Sequence, residues 1–549
     1  MLEGCTPWPE EFASRYRQRG YWRGQTVPQA IFEVIARHGS KTAIVYGGRR
    51  ISYFELGQRV GAMARGLMRH GIKPRERVVL QLPNSPEFLV AFLALQQAGA
   101  IPVLALPAHR QAEIGHFIRH AGAVAYIGAD IDRGFDFRAM ADEILRRETS
   151  LAHVFINGAP NPGQVALDAL MAADDETPLP EIGAGDIALM LLSGGTTALP
   201  KLIPRTHDDY VYNFRQSGAV SGFDDATVYL AILPLAHNFA LGSPGILATL
   251  AYGGTIVMSA ETRADDVFPL IERERISVVC GAVPLAIAWL NSDVPARHDL
   301  SSVRLFINGG ARLAPELRQR LEEMFSCTYQ ESFGTAEGLL NQTRLDDPAP
   351  IRFESSGRPI SEADEIRIVD DEDRDVPDGT PGELICRGPY TIRGYYNAPE
   401  INAAAFTEDG FYRTGDMVKR NNGSLYVEGR KKDLINRGGE KISSEEVENL
   451  IYTNPKVKGV CVVAMPDAMF GEKACAFLIP RDGETMTFEE LVAHLAKCNI
   501  AKFKLPERLE IVDTFPTSPA GKILRKDLRK IIADKIAAER AGGGQAGLS

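Results

Sequence analysis

Short apolar runs alternate with stretches of helical length over the N-terminal half of the chain, and this alternation limits the possible folds more than any other feature. Runs at 78–82, 100–105, 124–127, 154–156, 227–230, 254–258, 278–280 and 305–308 read as strands. The amphipathic stretch 51–68 and the segment 86–97 read as helices. Strands that alternate with helices pair in parallel and are covered on both faces, so the pattern predicts a layered α/β domain. After about residue 350 the pattern changes. Residues 366–369, 382–386 and 425–428 read as short strands between Asp/Gly turns, which predicts a small β subdomain. Beyond Lys432 it changes again, with helices at 444–452, 488–497 and 525–539 and strands at 460–464 and 474–479. The expected division is a large core at 1–432, a small α+β domain at 433–540 and a disordered tail at 541–549. A chain of 549 residues is long enough for two such cores.

Composition narrows the function. The chain is 45% hydrophobic and 24% charged, which argues against wholesale disorder. Its net charge of −10 gives no support to nucleic-acid binding, which would favour a basic face. The seven cysteines stand at 5, 280, 327, 386, 461, 475 and 498. No pair has CxxC spacing, so neither a zinc site nor a disulfide framework is expected, and a reducing cytoplasm is the expected compartment. The first residues lack the basic and apolar regions of a signal peptide, and no apolar run reaches the length of a membrane span.

Chemistry begins where the apolar run 187–192 ends in Ser193-Gly-Gly-Thr-Thr-Ala-Leu-Pro-Lys201. Glycines let backbone N–H groups approach oxyanions, hydroxyls donate hydrogen bonds, and Lys201 adds a positive charge, so the segment suits a phosphate chain. It is not a Walker A loop, because no Gly-Lys-Ser/Thr closes it. Taken alone it is an ordinary Gly/Thr/Pro turn. Five later segments bear on it. Glu337, just after the turn in Glu331-Ser-Phe-Gly-Thr-Ala-Glu337-Gly, is a carboxylate placed to hold Mg²⁺. In Phe411-Tyr-Arg-Thr-Gly-Asp416 and Tyr426-Val-Glu-Gly-Arg430, an acid and an arginine can bind ribose hydroxyls and phosphate. Lys522, in Pro516-Thr-Ser-Pro-Ala-Gly-Lys522, can carry a cation to an α-phosphate on a flexible loop. The run 429–442 is charged as a solvated face would be, yet it contains Gly438-Gly439 and lies at the expected domain junction.

Order and spacing of these segments resemble the adenylate-forming superfamily of acyl-CoA synthetases, luciferases and peptide-synthetase adenylation domains. The likeness spans nearly the whole chain, including 103–110 and 388–396. It departs from the family pattern at Ala198, where a glycine is usual and an alanine disfavours positive φ. By this resemblance, Ser193, Gly194, Gly195, Thr196, Thr197 and Lys201 bind ATP phosphates. Glu337 is the metal carboxylate, Gly309, Gly310 and Ala311 lie against adenine, and Asp416 and Arg430 bind the ribose. Lys522 is the catalytic lysine, with His237 and Glu337 as further catalytic candidates. Asp433 is the hinge about which the small domain turns, and Gly438, Gly439 and Lys441 line the approach of a phosphopantetheine arm.

The segment Pro234-Leu-Ala-His237-Asn238-Phe239-Ala-Leu-Gly-Ser243-Pro-Gly245 resembles the aryl-acid ligases of siderophore biosynthesis. By that likeness Asn238, Phe239, Ser243, Gly310 and Leu340 bind the acid, with Asn238 on its 2-hydroxyl and Phe239 on the ring face. Ser243 matches the enzymes for 2,3-dihydroxybenzoate, whereas the bulk of Leu340 resembles the salicylate type. The polar partner offered by Ser243 favours 2,3-dihydroxybenzoate. The implied reaction uses ATP and Mg²⁺ to form aryl-AMP and pyrophosphate, then passes the acyl group to an aryl carrier protein supplied in trans. Salicylate as substrate, free CoA as acceptor, and an impaired nucleotide-binding protein are the alternatives.

Overall fold

The computed structural model describes residues 2–172, 176–193, 200–438, 440–498, 500–518 and 521–543. Among the described residues the expected parallel strands form two sheets of a layered α/β body. In the nine-stranded sheet, Thr42–Tyr46, Thr255–Met258, Val228–Ala231, Val278–Gly281, Leu305–Gly309 and Thr328–Thr335 run parallel in that spatial order, with antiparallel pairs at both edges. In the seven-stranded sheet, Ile101–Leu104, Arg77–Gln81, Ala125–Ala129 and His153–Asn157 form the parallel centre. Every residue of Ile101–Leu104 and Ala125–Ala129 is buried, as strands covered on both faces must be.

Helices follow from their apolar spacing. In Tyr53–Arg69 the buried residues Leu56, Val60, Met63 and Leu67 recur three or four apart, and the Ser52 hydroxyl caps the start by accepting from the Glu55 N–H at 3.1 Å. Pro86–Gln97 is apolar on all sides and buried on all sides. The stretch opening at Ile51 begins on a strand, because Arg49–Ser52 folds back on Thr42–Tyr46 across Gly47 and Gly48, whose φ values of +55° and +82° suit a tight hairpin turn.

The elements that carry the expected site come next in chain order. β1 (Ile187–Leu192) and β2 (Leu202–Thr206) pair antiparallel in the seven-stranded sheet. α1 (His207–Val220) follows β2 at once. It opens on a reciprocal cap: the Thr206 hydroxyl accepts from the Asp209 N–H at 3.2 Å, and the Asp209 carboxylate accepts from the Thr206 N–H at 2.7 Å. α2 (Asn238–Gly242) is a short turn of helix. β3 (Leu305–Gly309), β4 (Thr328–Thr335) and β5 (Gly338–Gln342) lie side by side in the larger sheet.

The small β subdomain is a four-stranded antiparallel sheet ending in β6 (Tyr412–Asn421) and β7 (Ser424–Arg430). The Thr-Gly-Asp composition of β6 reads as a turn, yet it is a ten-residue strand, because its buried residues alternate on one face. In the small α+β domain, the strands Val457–Asp467 and Gly471–Pro480 pair beside α3 (Ser444–Tyr452) and α4 (Arg525–Gly543). α4 runs on to Gly543, past the point where the tail was expected to lose structure, and residues 544–549 lie outside the described residues. Among the described residues no helix is long and apolar enough to cross a membrane.

Candidate active site

β1 and β2 carry the two ends of the glycine-rich loop. The Ser193 N–H donates to the Lys201 carbonyl at 3.0 Å, and the Lys201 N–H donates to the Ser193 Oγ at 3.0 Å. Gly194, Gly195, Thr196, Thr197 and Ala198 lie outside the described residues. Lys201 Nζ stands 4.1 Å from the centre of the Tyr395 ring, a cation–π contact. The Tyr395 hydroxyl donates to Glu337 Oε1 at 2.8 Å and lies 3.2 Å from the Tyr412 hydroxyl. One tyrosine therefore touches both the lysine and the buried Glu337. Gly338 makes this turn possible. Its φ is +124°, and a Cβ there would stand 2.4 Å from the Tyr390 carbonyl oxygen and the Thr391 Cα.

Asp416 on β6 and Arg430 on β7 are partners in the ladder, and Arg430 Nε reaches Asp416 Oδ1 at 2.6 Å. Asp416 is buried, and its charge raises the Arg430 pKa. Lys522 comes to this group from the small domain, its Cε 4.0 Å from the point where a Cβ on Gly310 would stand. Protein packed around the Lys522 cation lowers its pKa, as does Arg430, while Asp416 and Glu337 oppose the shift. The side chain still keeps an exposed face, so it stands in a walled cleft rather than in the core. Burial, and secondarily the Lys522 charge, push the His237 imidazole down to about 4. His237 Nδ1 accepts from the Phe239 N–H at 3.3 Å, so the neutral ring carries its proton on Nε2.

Beside this charged cluster lies a drier one. The Phe239 ring packs so close on β3 that a Cβ on Gly309 would stand 2.6 Å from its edge, so only glycine fits there. Gly310 follows with φ at +85°, and Asn308 Nδ2 closes the turn by donating to the Ala311 carbonyl at 2.9 Å. Asn238 is buried, its Oδ1 accepting from the Tyr210 hydroxyl at 2.9 Å and its Nδ2 3.2 Å from Ser243 Oγ. Leu340 is buried, packed on Gly334 and in a cluster with Ile360 and Tyr390.

At the domain junction the Asp433 carboxylate pairs with Arg529 of α4, and its carbonyl accepts from the Ser444 hydroxyl at 3.3 Å. Gly438 has φ at +59° and donates its N–H to the Phe470 carbonyl at 2.8 Å. Gly439 and the Lys441 side chain lie outside the described residues. The structure thus brings together Lys201, Glu337, Asp416, Arg430, Lys522, His237 and Gly310, with Asn238, Phe239, Ser243 and Gly309 alongside. Sequence reasoning missed Tyr395, Tyr412, Tyr210, Asn213 and Arg205, which hold these groups from behind. A readable signal was the Thr206-x-x-Asp209 cap, which places Tyr210 and Asn213 on the first turns of a helix beginning beside the loop.

Cations, a buried carboxylate and a glycine turn around one cleft are suited to gripping a nucleotide and stabilising charge that develops on its phosphates. Known proteins agree with that description. Residues 31–396 match the model of the AMP-binding enzyme family, and residues 446–522 match that of the AMP-binding enzyme C-terminal domain. The chain is 46% identical over 539 residues to the 2,3-dihydroxybenzoate-AMP ligase of Bacillus subtilis, which covers 98% of this chain and 99% of that protein. It is 40% identical over 537 residues to the salicyl-AMP ligase / salicyl-S-ArCP synthetase of Mycobacterium tuberculosis, across 97% of this chain and 94% of that protein. Among solved structures, the apo form of MbtA from Mycobacterium smegmatis is 38% identical, with a TM-score of 0.74 over 96% of this chain and 98% of that one. The chain therefore belongs to the AMP-binding enzyme family.

Proposed function

We propose that the protein uses ATP to activate an aryl acid, with 2,3-dihydroxybenzoate preferred, and then hands the acyl group to the phosphopantetheine thiol of a separate carrier protein. The observation that carries this reading is the meeting of Lys522, from the small domain, with Glu337, Asp416, Arg430 and His237, from the large one, around Gly310. In the first step a carboxylate oxygen of the acid attacks the α-phosphorus, and the bond to pyrophosphate breaks. Negative charge builds on the α-phosphate oxygens, and the Lys522 ammonium and Arg430 guanidinium offset it inside a cleft of low dielectric. Asp416 accepts from the ribose hydroxyls. Glu337 would hold Mg²⁺, which supplies charge neutralisation on the phosphate oxygens. One buried carboxylate oriented by Tyr395 fits an ion that takes its remaining oxygens from phosphate and water.

In the second step the small domain turns about Asp433, the thiol attacks the acyl carbon, and AMP leaves. Gly438, Gly439 and Lys441 would line the thiol's approach. The acid lies against Phe239, with Asn238 and Ser243 as its polar partners and Leu340 limiting its width. The names of the Bacillus and Mycobacterium relatives, both aryl-acid AMP ligases, support this choice of substrate. The bulk of Leu340 favours salicylate as a second substrate. ATP–pyrophosphate exchange across a panel of benzoic acids tests the reading. Exchange should be highest with 2,3-dihydroxybenzoate, lower with salicylate and near background with benzoate. Exchange with aliphatic acids and none with any benzoic acid would sink it.

A further inference from the structure

Behind the expected acid pocket lies a chain of buried hydrogen bonds whose direction is fixed at one end. Arg205, at the end of β2, is wholly buried, and a guanidinium can only donate. Its Nε donates to Asp209 Oδ1 at 2.7 Å, Nη1 to the Ala336 carbonyl at 3.0 Å, and Nη2 to the Tyr390 carbonyl at 3.1 Å and Asn213 Oδ1 at 3.3 Å. The last contact orients the Asn213 amide, with its oxygen toward Arg205 and its Nδ2 away. Nδ2 then donates to the Gly242 carbonyl at 2.5 Å, which can only accept, and lies 3.3 Å from Ser243 Oγ. Both ends of Asn213 thus give the same orientation.

Polarity passes on from there. Ser243 Oγ receives the Asn213 amide, and Asn238 Nδ2 approaches the same oxygen at 3.2 Å while the Tyr210 hydroxyl donates to Asn238 Oδ1 at 2.9 Å. An oxygen that accepts twice has used both lone pairs, so its own O–H must point elsewhere. Arg205 and Asn213 are each 0% exposed, so no solvent competes for these bonds.

We propose that Arg205 and Asn213 are positioning residues that make Ser243 a hydrogen-bond donor toward the bound acid. They thereby set a preference for benzoic acids with an oxygen at ring position 3 as well as at position 2. This inference rests on the aryl-acid reading above. An acid without that oxygen leaves the Ser243 O–H unpaired in a dry pocket, and such an unpaired group is what separates close analogues.

A double-mutant cycle tests it. The kcat/KM values of pyrophosphate exchange with 2,3-dihydroxybenzoate and with salicylate are measured for the native enzyme, Asn213→Ala, Ser243→Ala and the double variant. The native enzyme should favour 2,3-dihydroxybenzoate, and Asn213→Ala should cut that ratio about tenfold. Ser243→Ala should cut it similarly, and adding Asn213→Ala to Ser243→Ala should leave the ratio within about twofold, whatever both rates do. Asn213→Asp has the same shape but cannot donate, and it should repeat the loss should the alanine variant fail to fold. A native ratio that ignores Asn213→Ala and Asn213→Asp, or that falls equally in both backgrounds, overturns the proposal and leaves the aryl-acid reading standing. A native enzyme with no exchange on either acid overturns both.

Discussion

His207 shows how a single side chain ties the fold to pH. It is buried at the start of α1, its Nδ1 accepts the Val27 N–H at 3.1 Å, and burial pushes its imidazole down to about 4, against a weaker pull from Asp186. Unfolded, the ring takes a proton near 6.5. Its contribution to stability is therefore intact above pH 6.5 and is lost as pH falls from there through 4, to a total of about 3 kcal/mol. His207→Gln should flatten the decline of Tm between pH 7 and 4.5 relative to the native protein; parallel curves would refute the neutral ring. At this scale the sequence was partly legible. Asp416, Arg430 and Glu337 could be singled out because the order and spacing of their segments resemble the adenylate-forming superfamily, and the structure gathers them around one cleft. Arg205 could not, because a lone arginine in an apolar strand looks like an edge residue until the fold surrounds it.

At the scale of elements, the packing of α2 on β3 fixes the wall proposed to hold the acid's ring. Phe239 lies where a side chain on Gly309 would have to go, so Gly309→Ala must push the ring out of place. We expect kcat/KM for the aryl acid to fall about tenfold or more, while the KM for ATP changes less than about threefold. Equal losses for both substrates would show that the ring does not face the acid. Most elements were legible in outline. Buried strands and amphipathic helices announce themselves by apolar spacing, and α3 and the helix Phe488–Lys497 stand where the periodicity predicts. β6 was hidden because its Thr-Gly-Asp residues are turn formers, and only cross-strand pairing with β7 makes them a strand. The hairpin before Tyr53 was hidden because its turn is set by Gly47 and Gly48 rather than by strand composition.

For the whole molecule, the account depends on a small domain that first brings Lys522 into the cleft and then leaves it. Asp433 sits at the junction, tied to Arg529 on α4. Asp433→Pro fixes φ at the proposed pivot, so it should leave pyrophosphate exchange within a few fold and depress thioester formation on a carrier about a hundredfold. Equal effects on both half-reactions would remove Asp433 as a pivot. The two-domain plan was visible in the sequence as a change of pattern near Lys432, but the meeting of Lys522 with Gly310 across more than two hundred residues was visible only by resemblance. The most direct measurement is single-turnover formation of 2,3-dihydroxybenzoyl-AMP by native protein and Lys522→Ala, with ATP affinity measured alongside. The account predicts one equivalent of acyl-adenylate per native chain, a rate lower by about 10²–10³ in the variant, and an ATP Kd within a few fold of native. A variant that forms the adenylate at the native rate would contradict it, and so would native protein that forms none.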